Sequence, residues 1–153
     1  MSSQATYDDA NLILRLYELR REEKLRRARE WFGANFHAAT LEDVNRLAPM
    51  GSEENAYMRM VISYWDMAAS FVTSGVLSQD LFFRTNGECL FVWERVRGLA
   101  PAMRAMMKNP NVWANLEAVG NAYIKHMEAN GPEAYPAFQA MVHGVAAAGA
   151  RQS

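Results

Sequence analysis

The chain has 153 residues, half of them apolar, which is enough to bury a hydrophobic core without disulfide or metal staples. Its 16 basic and 17 acidic side chains leave a net charge of −1, which excludes a long-range field that would steer the protein to nucleic acid or an anionic membrane. A single cysteine excludes an internal disulfide, and the sequence shows no secretory leader and no apolar run of membrane-spanning length, so we expect a cytoplasmic protein.

The first predicted helix is the most charged part of the chain. Thr6 and Asp9 have the spacing of a capping box, and the helix is expected to run unbroken over residues 7–33, where Gly33 suits the left-handed position after a helix. Seven basic side chains crowd this segment: Arg15, Arg20, Arg21, Lys24, Arg26, Arg27 and Arg29. Glutamates spaced four residues before an arginine are interleaved with them, so ion pairs within the helix can neutralise much of the positive charge.

The next two helices are predicted from their caps. Thr40 with Asp43 begins a short helix that stops at Pro49, and Ser52 begins a helix expected over residues 52–75. The latter is apolar on most of its circumference, which is typical of a central helix or of an oligomer interface. Its polar side chains are spaced alternately four and three residues apart and draw one narrow line: Arg59, Ser63, Asp66, Ser70 and Thr73.

Ser78 begins a further predicted helix over residues 78–97, whose apolar stripe includes Phe82 and Trp93. Asn86-Gly87 interrupts the stripe with turn-forming residues, which predicts a kink. Burying the Asn86 amide without partners would cost about 1–3 kcal/mol. We therefore expect it to bond to a backbone carbonyl near Gly87 or to a side chain on the central helix. The alternative is a ligand-orienting amide beside Glu88.

Two further helices complete the chain. Asn109-Pro110 has the pattern of a helix cap followed by proline at the first helical position, which predicts a helix over residues 109–130. A last helix, which contains Tyr135 and Phe138, follows a Gly-Pro break.

The fold class predicted from these segments is all-α, because strand-like alternation is absent. We expect a bundle of about five to six helices with a long N-terminal helix, forming a single domain over residues 1–153. Residues 1–5 and 147–153 are expected to fray, since they have little to bury.

No motif assigns a reaction. None of the three histidines follows a glutamate by three residues, which excludes the Glu-x-x-His pairs of di-iron bundles. Zinc-binding, nucleophile-elbow and phosphate-loop patterns are also missing. We therefore expect no metal and no cofactor, and we favour a non-enzyme, although catalytic groups brought together only in space would leave no such pattern.

A partner-binding surface on the basic helix is the first functional hypothesis. Its predicted contact residues are Arg20, Arg21, Lys24, Arg27 and Trp31. Arginine can bind carboxylates through paired hydrogen bonds, and tryptophan can anchor an apolar patch. The interleaved glutamates and the lack of a nucleic-acid-binding signature disfavour nucleic acid. This hypothesis describes a non-enzymatic interaction module that is homo-oligomeric or binds another protein.

A small-ligand-binding or sensor domain is the alternative. It requires the polar line of the central helix to face a seam between helices rather than water. The predicted pocket residues are Arg59, Asp66, Asn86 and Glu88. If the line faces water, its charges are ordinary surface groups. The sequence leaves both arrangements open.

Several stretches of the chain resemble a known family. They are residues 12–20 (LILRLYELR), 28–32 (AREWF), 64–70 (YWDMAAS) and the region 93–104. Together they are similar to a bacterial group of helical proteins, the DUF4760-like family, whose function is unknown. The resemblance implies an α-helical domain, in some members behind a membrane anchor, and it transfers no catalytic residues.

Overall fold

A computed structural model of the protein describes residues 4–152, with side chains described for residues 4–144. Within this part of the chain the fold is all-α, as predicted. The helices are α1 (Tyr7–Arg20), α2 (Glu23–Asn35), α3 (Leu41–Leu47), α4 (Glu53–Thr73), α5 (Gln79–Thr85), α6 (Glu88–Val96), α7 (Ala100–Met107), α8 (Ala114–Asn130) and α9 (Ala134–Gln152). A short 3-10 helix, Arg97–Leu99, joins α6 to α7. The expected five to six helices are too few, because two predicted helices are each split in two and Ala100–Met107 forms a further short helix.

Four predicted helix starts are confirmed. At each, a side-chain oxygen accepts a hydrogen bond from a backbone N–H of the first turn, which satisfies a group that the helix leaves unpaired. The caps are Thr6, Thr40, Ser52 and Ser78, which accept from the N–H groups of Asp9, Asp43, Asn55 and Leu81 respectively. Gly51 and Gly75 flank α4 with φ angles of +88° and +81°, a conformation that glycine adopts without strain. Local sequence alone therefore sets both ends of α4.

The long N-terminal helix predicted over residues 7–33 is wrong, because the chain turns between α1 and α2. Glu22 lies at the turn, where its carboxylate accepts hydrogen bonds from the backbone N–H groups of Lys24 and Leu25, both at 2.9 Å. These bonds cap α2 and hold the pKa of Glu22 below its usual range. A glutamate in this role is uncommon, so the sequence pattern reads as continuous helix.

The turn between α1 and α2 allows each helix to bury its own apolar side. Leu16 of α1 and Leu25 and Ala28 of α2 all lie in the core. The prediction that the helix ends at Gly33 is wrong, because α2 continues through this residue to Asn35.

The helix predicted from Asn109-Pro110 begins four residues later, at Ala114. The Asn109 side chain instead accepts a hydrogen bond from the N–H of Asn111 at 2.9 Å, which forms a local turn. Trp113 then adopts a left-handed φ of +58° immediately before α8. The Nε of Arg104 on α7 donates a hydrogen bond to the Val112 carbonyl in this loop at 2.9 Å. This contact between elements favours the later start of α8.

The core is built around α4, which packs against α2, α6 and α8. Its largest fully buried side chains are aromatic: Trp65, Trp93, Phe32, Phe36 and Phe82. At Gly120 of α8 an added Cβ would lie 2.3 Å from the Trp93 ring, so α6 and α8 approach as closely as they do only because this residue is glycine. Cys89 is fully buried, and burial raises the pKa of its thiol far above the usual range.

Buried polar contacts attach α9 to α6. The hydroxyl of Tyr135 donates a hydrogen bond to the carboxylate of Glu94, which also accepts one from Arg97 at 3.1 Å. Burial and the bond to Glu94 together raise the pKa of Tyr135 to about 12. None of the described helices combines the length and apolar character needed to cross a membrane. Of the residues predicted to fray, 1–3 and 153 lie outside the described residues, residues 4 and 5 precede α1, and 147–152 fall within the bounds of α9.

Candidate functional site

A groove of about 600 Å³ opens where α1 turns into α2, and we call it the arginine groove. Its lining residues are Tyr17, Arg20, Arg21, Arg26, Arg29, Glu30 and Glu88. Tyr17 and Arg20 come from α1, Arg21 from the turn, and Arg26, Arg29 and Glu30 from α2. Glu88 comes from the start of α6. The groove therefore exists only because the N-terminal helix is broken.

Arg20 is held in a fixed orientation at the inner wall of the arginine groove. Its Nη1 donates hydrogen bonds to the Tyr64 hydroxyl at 3.1 Å and to the Asn86 side-chain oxygen at 2.9 Å. Its guanidinium carbon lies 5.0 Å from the centre of the Trp65 ring, a distance at which a cation is attracted to an aromatic face. The Tyr64 hydroxyl donates in turn to the carbonyl of Leu16 at 2.6 Å, which ties this wall to α1.

The buried amide of Asn86 is satisfied at this wall. Its nitrogen donates to Thr85 Oγ1 at 2.9 Å and reaches the Phe82 carbonyl at 3.5 Å. The Phe82 carbonyl already accepts the backbone N–H of Asn86 at 2.9 Å, so it is not the carbonyl near Gly87 that was expected from the sequence. The stronger contact is the one to Arg20, which lies on α1 and not on the central helix.

Arg29 and Glu88 form a clasp across the arginine groove. The Nε and Nη2 of Arg29 donate to the Glu88 carboxylate at distances of 2.7–3.1 Å, and its Nη1 donates to the carbonyl of Arg20 at 3.2 Å. Paired, charged hydrogen bonds of this kind are the strongest that side chains make. The bonds to Glu88 hold the pKa of Arg29 above its usual range. The clasp therefore uses every donor nitrogen of Arg29.

The other three arginines of the groove form no ion pair within the described part of the chain. Arg20 bonds only to neutral oxygens, while Arg21 and Arg26 are exposed. Arg20 and Arg21 both lie near the Tyr17 ring, with guanidinium carbons 5.8 and 5.9 Å from its centre. Two like charges thus lie near one aromatic side chain, and neither has a carboxylate within ion-pair distance among the described residues.

The residues predicted to contact a partner divide into two groups. Arg20 and Arg21 line the arginine groove. Lys24 and Arg27 are exposed on α2 outside it, and Arg27 pairs with Glu23 at 2.7 Å. The fifth, a tryptophan, packs against core aromatic rings: Trp31 is half-buried, with ring centres 6.2 Å from Phe36 and 6.3 Å from Tyr57.

The residues predicted to line a ligand pocket are also divided. Asn86 and Glu88 lie at the arginine groove. Asp66 instead accepts a hydrogen bond from the Leu116 N–H at 3.0 Å, at the start of α8, and exposed Arg59 donates to a side chain of its own helix. The structure thus joins two of the five predicted partner contacts and two of the four predicted pocket residues into one site.

Sequence reasoning missed Tyr17, Arg26, Arg29 and Glu30 as members of this site. In an unbroken helix Arg20 and Arg29 would point in roughly opposite directions, since nine steps of about 100° leave them half a turn apart. The turn at Glu22 brings them together. Glu88 lies 59 residues from Arg29, and no local pattern indicates that they meet. The signal that the sequence offered for the break was Glu22, whose carboxylate can accept hydrogen bonds from the first backbone N–H groups of α2.

A second arginine site lies at the other end of α2. Arg95 of α6 is buried, and its Nη1 and Nη2 donate to four backbone carbonyls at 2.7–3.3 Å. These carbonyls belong to Phe32, Gly33, Phe36 and Val142. A cation is favourable here because the carbonyl end of a helix carries partial negative charge. Burial lowers the pKa of Arg95.

A smaller depression of about 350 Å³ lies between α5 and α8, against His126 and Phe83. Within the residues that the structure describes, no group of three or more histidine, cysteine, aspartate or glutamate side chains could hold a metal ion. The arginine groove is therefore the stronger candidate site.

The sequence model of one family matches this chain. That family is described as a domain of unknown function, DUF4760, and the match covers residues 5–123. The matched region contains every residue of the arginine groove. No curated protein matches the chain. No solved structure matches it either.

Proposed function

The chain belongs to the DUF4760 family of domains of unknown function, and we propose that it acts within that family as a non-enzymatic helical interaction module. The module binds acidic side chains of a protein partner in the arginine groove. A second copy of the chain is the first partner to consider, which makes the protein a homo-oligomer. The observation that carries this proposal is the set of three groove arginines, Arg20, Arg21 and Arg26, that have no ion pair in the described structure.

The surroundings of the groove favour a protein partner over nucleic acid. Tyr17 lines the groove and Leu14 lies one helical turn before it, and both are more than half exposed. Arginine and tyrosine beside apolar surface are the residues that contribute most to protein interfaces. The positive charge is local, since α1 also carries Asp8 and Glu18 and the whole chain has a net charge of −1.

Self-association is tested by sedimentation velocity at low and moderate salt. The test variant is Arg21→Gln with Arg26→Gln, which removes two exposed groove charges. The matched control is Arg15→Gln with Arg27→Gln, which removes two exposed charges from the same helices outside the groove. We expect the wild type and the control to associate equally, and the groove variant to need roughly tenfold more protein for the same degree of association.

A different protein partner is tested with a fluorescent glutamate-rich peptide and the same variants. Anisotropy should report binding that the groove variant weakens and the control retains. The proposal is wrong if the wild type neither associates nor binds the peptide. It is also wrong if the groove variant and the matched control lose binding to the same extent, since the charge would then act without regard to position.

A small-ligand-binding or sensor domain stays the second proposal. It is supported by the volume of the arginine groove and by the placement of Asn86 and Glu88 at its wall, although Asp66 and Arg59 make their contacts elsewhere. Native mass spectrometry of the purified protein separates the two proposals. A bare oligomer supports the interaction module, whereas a stoichiometric extra mass on each chain supports the sensor.

Two statements about the whole chain belong to this proposal. We take residues 1–153 as one domain, because a single hydrophobic cluster includes buried side chains from α1 through α8. We take the protein as cytoplasmic, because its one cysteine is a buried thiol, in keeping with a reducing compartment.

A further inference from the structure

The arginine groove holds more positive charge than a carboxylate partner neutralises. Four arginines and two glutamates line it, which leaves a formal charge of +2. The clasp between Arg29 and Glu88 cancels one charge of each sign. The remaining charges of the groove are the positive charges of Arg20, Arg21 and Arg26 and the negative charge of Glu30. None of these arginines forms an ion pair with Glu30 in the described structure.

Arg20 has one side of its guanidinium prepared for an anion. Its Nη1 is occupied by Tyr64 and Asn86, while its Nε and Nη2 make no hydrogen bond within the described residues and are not fully buried. The rings of Trp65 and Tyr17 limit how the plane can rotate. These two nitrogens form the fork that binds two oxygens of a carboxylate or phosphate, and a fixed fork loses less entropy on binding.

The neighbouring charges add a second reason to expect an anion. Arg20 and Arg21 both lie near the Tyr17 ring, so two like charges are held in the same part of the groove and repel each other. An anion that bridges them removes this repulsion. A carboxylate supplies one negative charge and two oxygens. A phosphate monoester supplies three oxygens and a charge of about −1.5 to −2 at neutral pH, which matches the formal charge of the groove.

We propose that the arginine groove binds a phosphate monoester dianion, with Arg20, Arg21 and Arg26 as its ligands. This inference rests on the proposed function, because it names the group that the partner presents: a phosphorylated side chain. The volume of about 600 Å³ exceeds that of a phosphate alone and leaves room for the side chain that carries it. Glu30 remains on the rim and disfavours larger polyanions.

Phenyl phosphate and phenyl sulfate are the matched probes, because both present a tetrahedral group on the same ring while only the phosphate carries a second negative charge. Calorimetric titration of the wild-type chain at pH 7.5 should show binding of phenyl phosphate. Phenyl sulfate should bind at least roughly tenfold more weakly, since it lacks one charge. Equal affinities would overturn the requirement for a dianion.

The variants place the phosphate in the groove. Arg21→Gln with Arg26→Gln should weaken phenyl phosphate binding by roughly tenfold or more, whereas Arg15→Gln with Arg27→Gln should leave it unchanged. Neither pair touches the core, so both should fold. Equal losses in the two variants would overturn the site. No binding of phenyl phosphate to the wild type would overturn the inference outright.

The source of the phosphate is settled by two further titrations, of a phosphoserine peptide and of adenosine monophosphate. Tighter binding of the peptide supports a phosphorylated protein partner, and tighter binding of the nucleotide overturns that source. The glutamate-rich peptide and the sedimentation test distinguish this inference from the proposed function. If either shows groove-dependent binding and phenyl phosphate does not bind, the phosphate inference is wrong and the interaction module stands. If all fail, both are wrong.

Discussion

Arginine side chains lie at both ends of α2, and the guanidinium group has opposite roles at the two ends. At the C-terminal end, Arg95 is buried and its Nη1 and Nη2 are occupied by four carbonyl oxygens. At the N-terminal end, Arg20 is fixed by two neutral oxygens and keeps unused donors, and Arg21 and Arg26 are exposed. The difference teaches that the acceptors around a guanidinium, rather than its burial alone, separate a stabilising arginine from a binding one.

Replacing Arg95 should give the largest loss of stability. Arg95→Met keeps an unbranched chain but removes the donors of four hydrogen bonds, which leaves buried carbonyls of α2 unsatisfied. The lost bonds outweigh the relief of burying a charge, so we expect a loss of about 2–4 kcal/mol in the free energy of unfolding. Urea denaturation measures it.

A matched variant, Arg95→Lys, keeps the charge but cannot reach all four carbonyls, so its loss should be smaller. If Arg95→Met were as stable as the wild type, the cost of burying the guanidinium would equal the gain from its bonds, as occurs for some buried ion pairs. The contrast between the two ends of α2 would then disappear.

Breaking the clasp at the groove should cost less. Glu88→Gln removes the charge that neutralises Arg29 but retains an oxygen acceptor, and each side chain of the pair is 29% exposed. We expect a loss of about 1 kcal/mol in urea denaturation. The same change should tighten the binding of phenyl phosphate, because it adds one positive charge to the groove. A variant with weaker phosphate binding would show that the clasp positions the other arginines.

The pH dependence of stability should reveal His37 beside Arg95. Burial, followed by the charge of Arg95, lowers the pKa of His37 from 6.5 in the folded protein, and its Nδ1 is buried without a hydrogen-bond partner among the described residues. The unfolded chain therefore binds more protons, so stability is retained above about pH 6.5 and declines as the pH falls below it. Urea denaturation at pH 7.0 and 5.5 should show a shallower decline in His37→Gln. Equal slopes in the two proteins would contradict this assignment.

The smallest effect on stability should come from the exposed groove arginines. Arg21→Gln with Arg26→Gln removes no described hydrogen bond, so we expect a change within about 0.5 kcal/mol. A small gain would fit relief of repulsion between like charges. Thermal denaturation measures it, and a large loss would mean that these arginines stabilise the fold and that their loss of binding is indirect.

Local sequence predicted the features that short-range contacts decide. The caps at Thr6, Thr40, Ser52 and Ser78 need only a side chain and the next turn of backbone, so their residue types suffice. The break at Glu22 was missed because it is favoured by the burial of two separate apolar faces, which no local pattern records. The left-handed Trp113 was missed for a similar reason, since a contact from α7 holds its loop.

The arginine groove was predicted only in part. The basic cluster was visible, and Arg20 and Arg21 were identified, because charge density is a property of the sequence itself. The clasp between Arg29 and Glu88 joins residues 59 positions apart and becomes visible only when α6 is placed against α2. Asn86 was recognised as out of place on an apolar stripe, but its partner Arg20 belongs to a helix that sequence reasoning did not expect to reach it.

The burial of Cys89 makes its thiol a probe of local unfolding. It is the only cysteine, it is fully buried, and it lies on α6 between Glu88 and Arg95. A thiol reagent in solution reaches this sulfur atom only when α6 leaves the core. The rate at which Cys89 is modified therefore reports how often α6 detaches from the core. Measuring this rate in variants at either end of α2 shows how each substitution changes that opening.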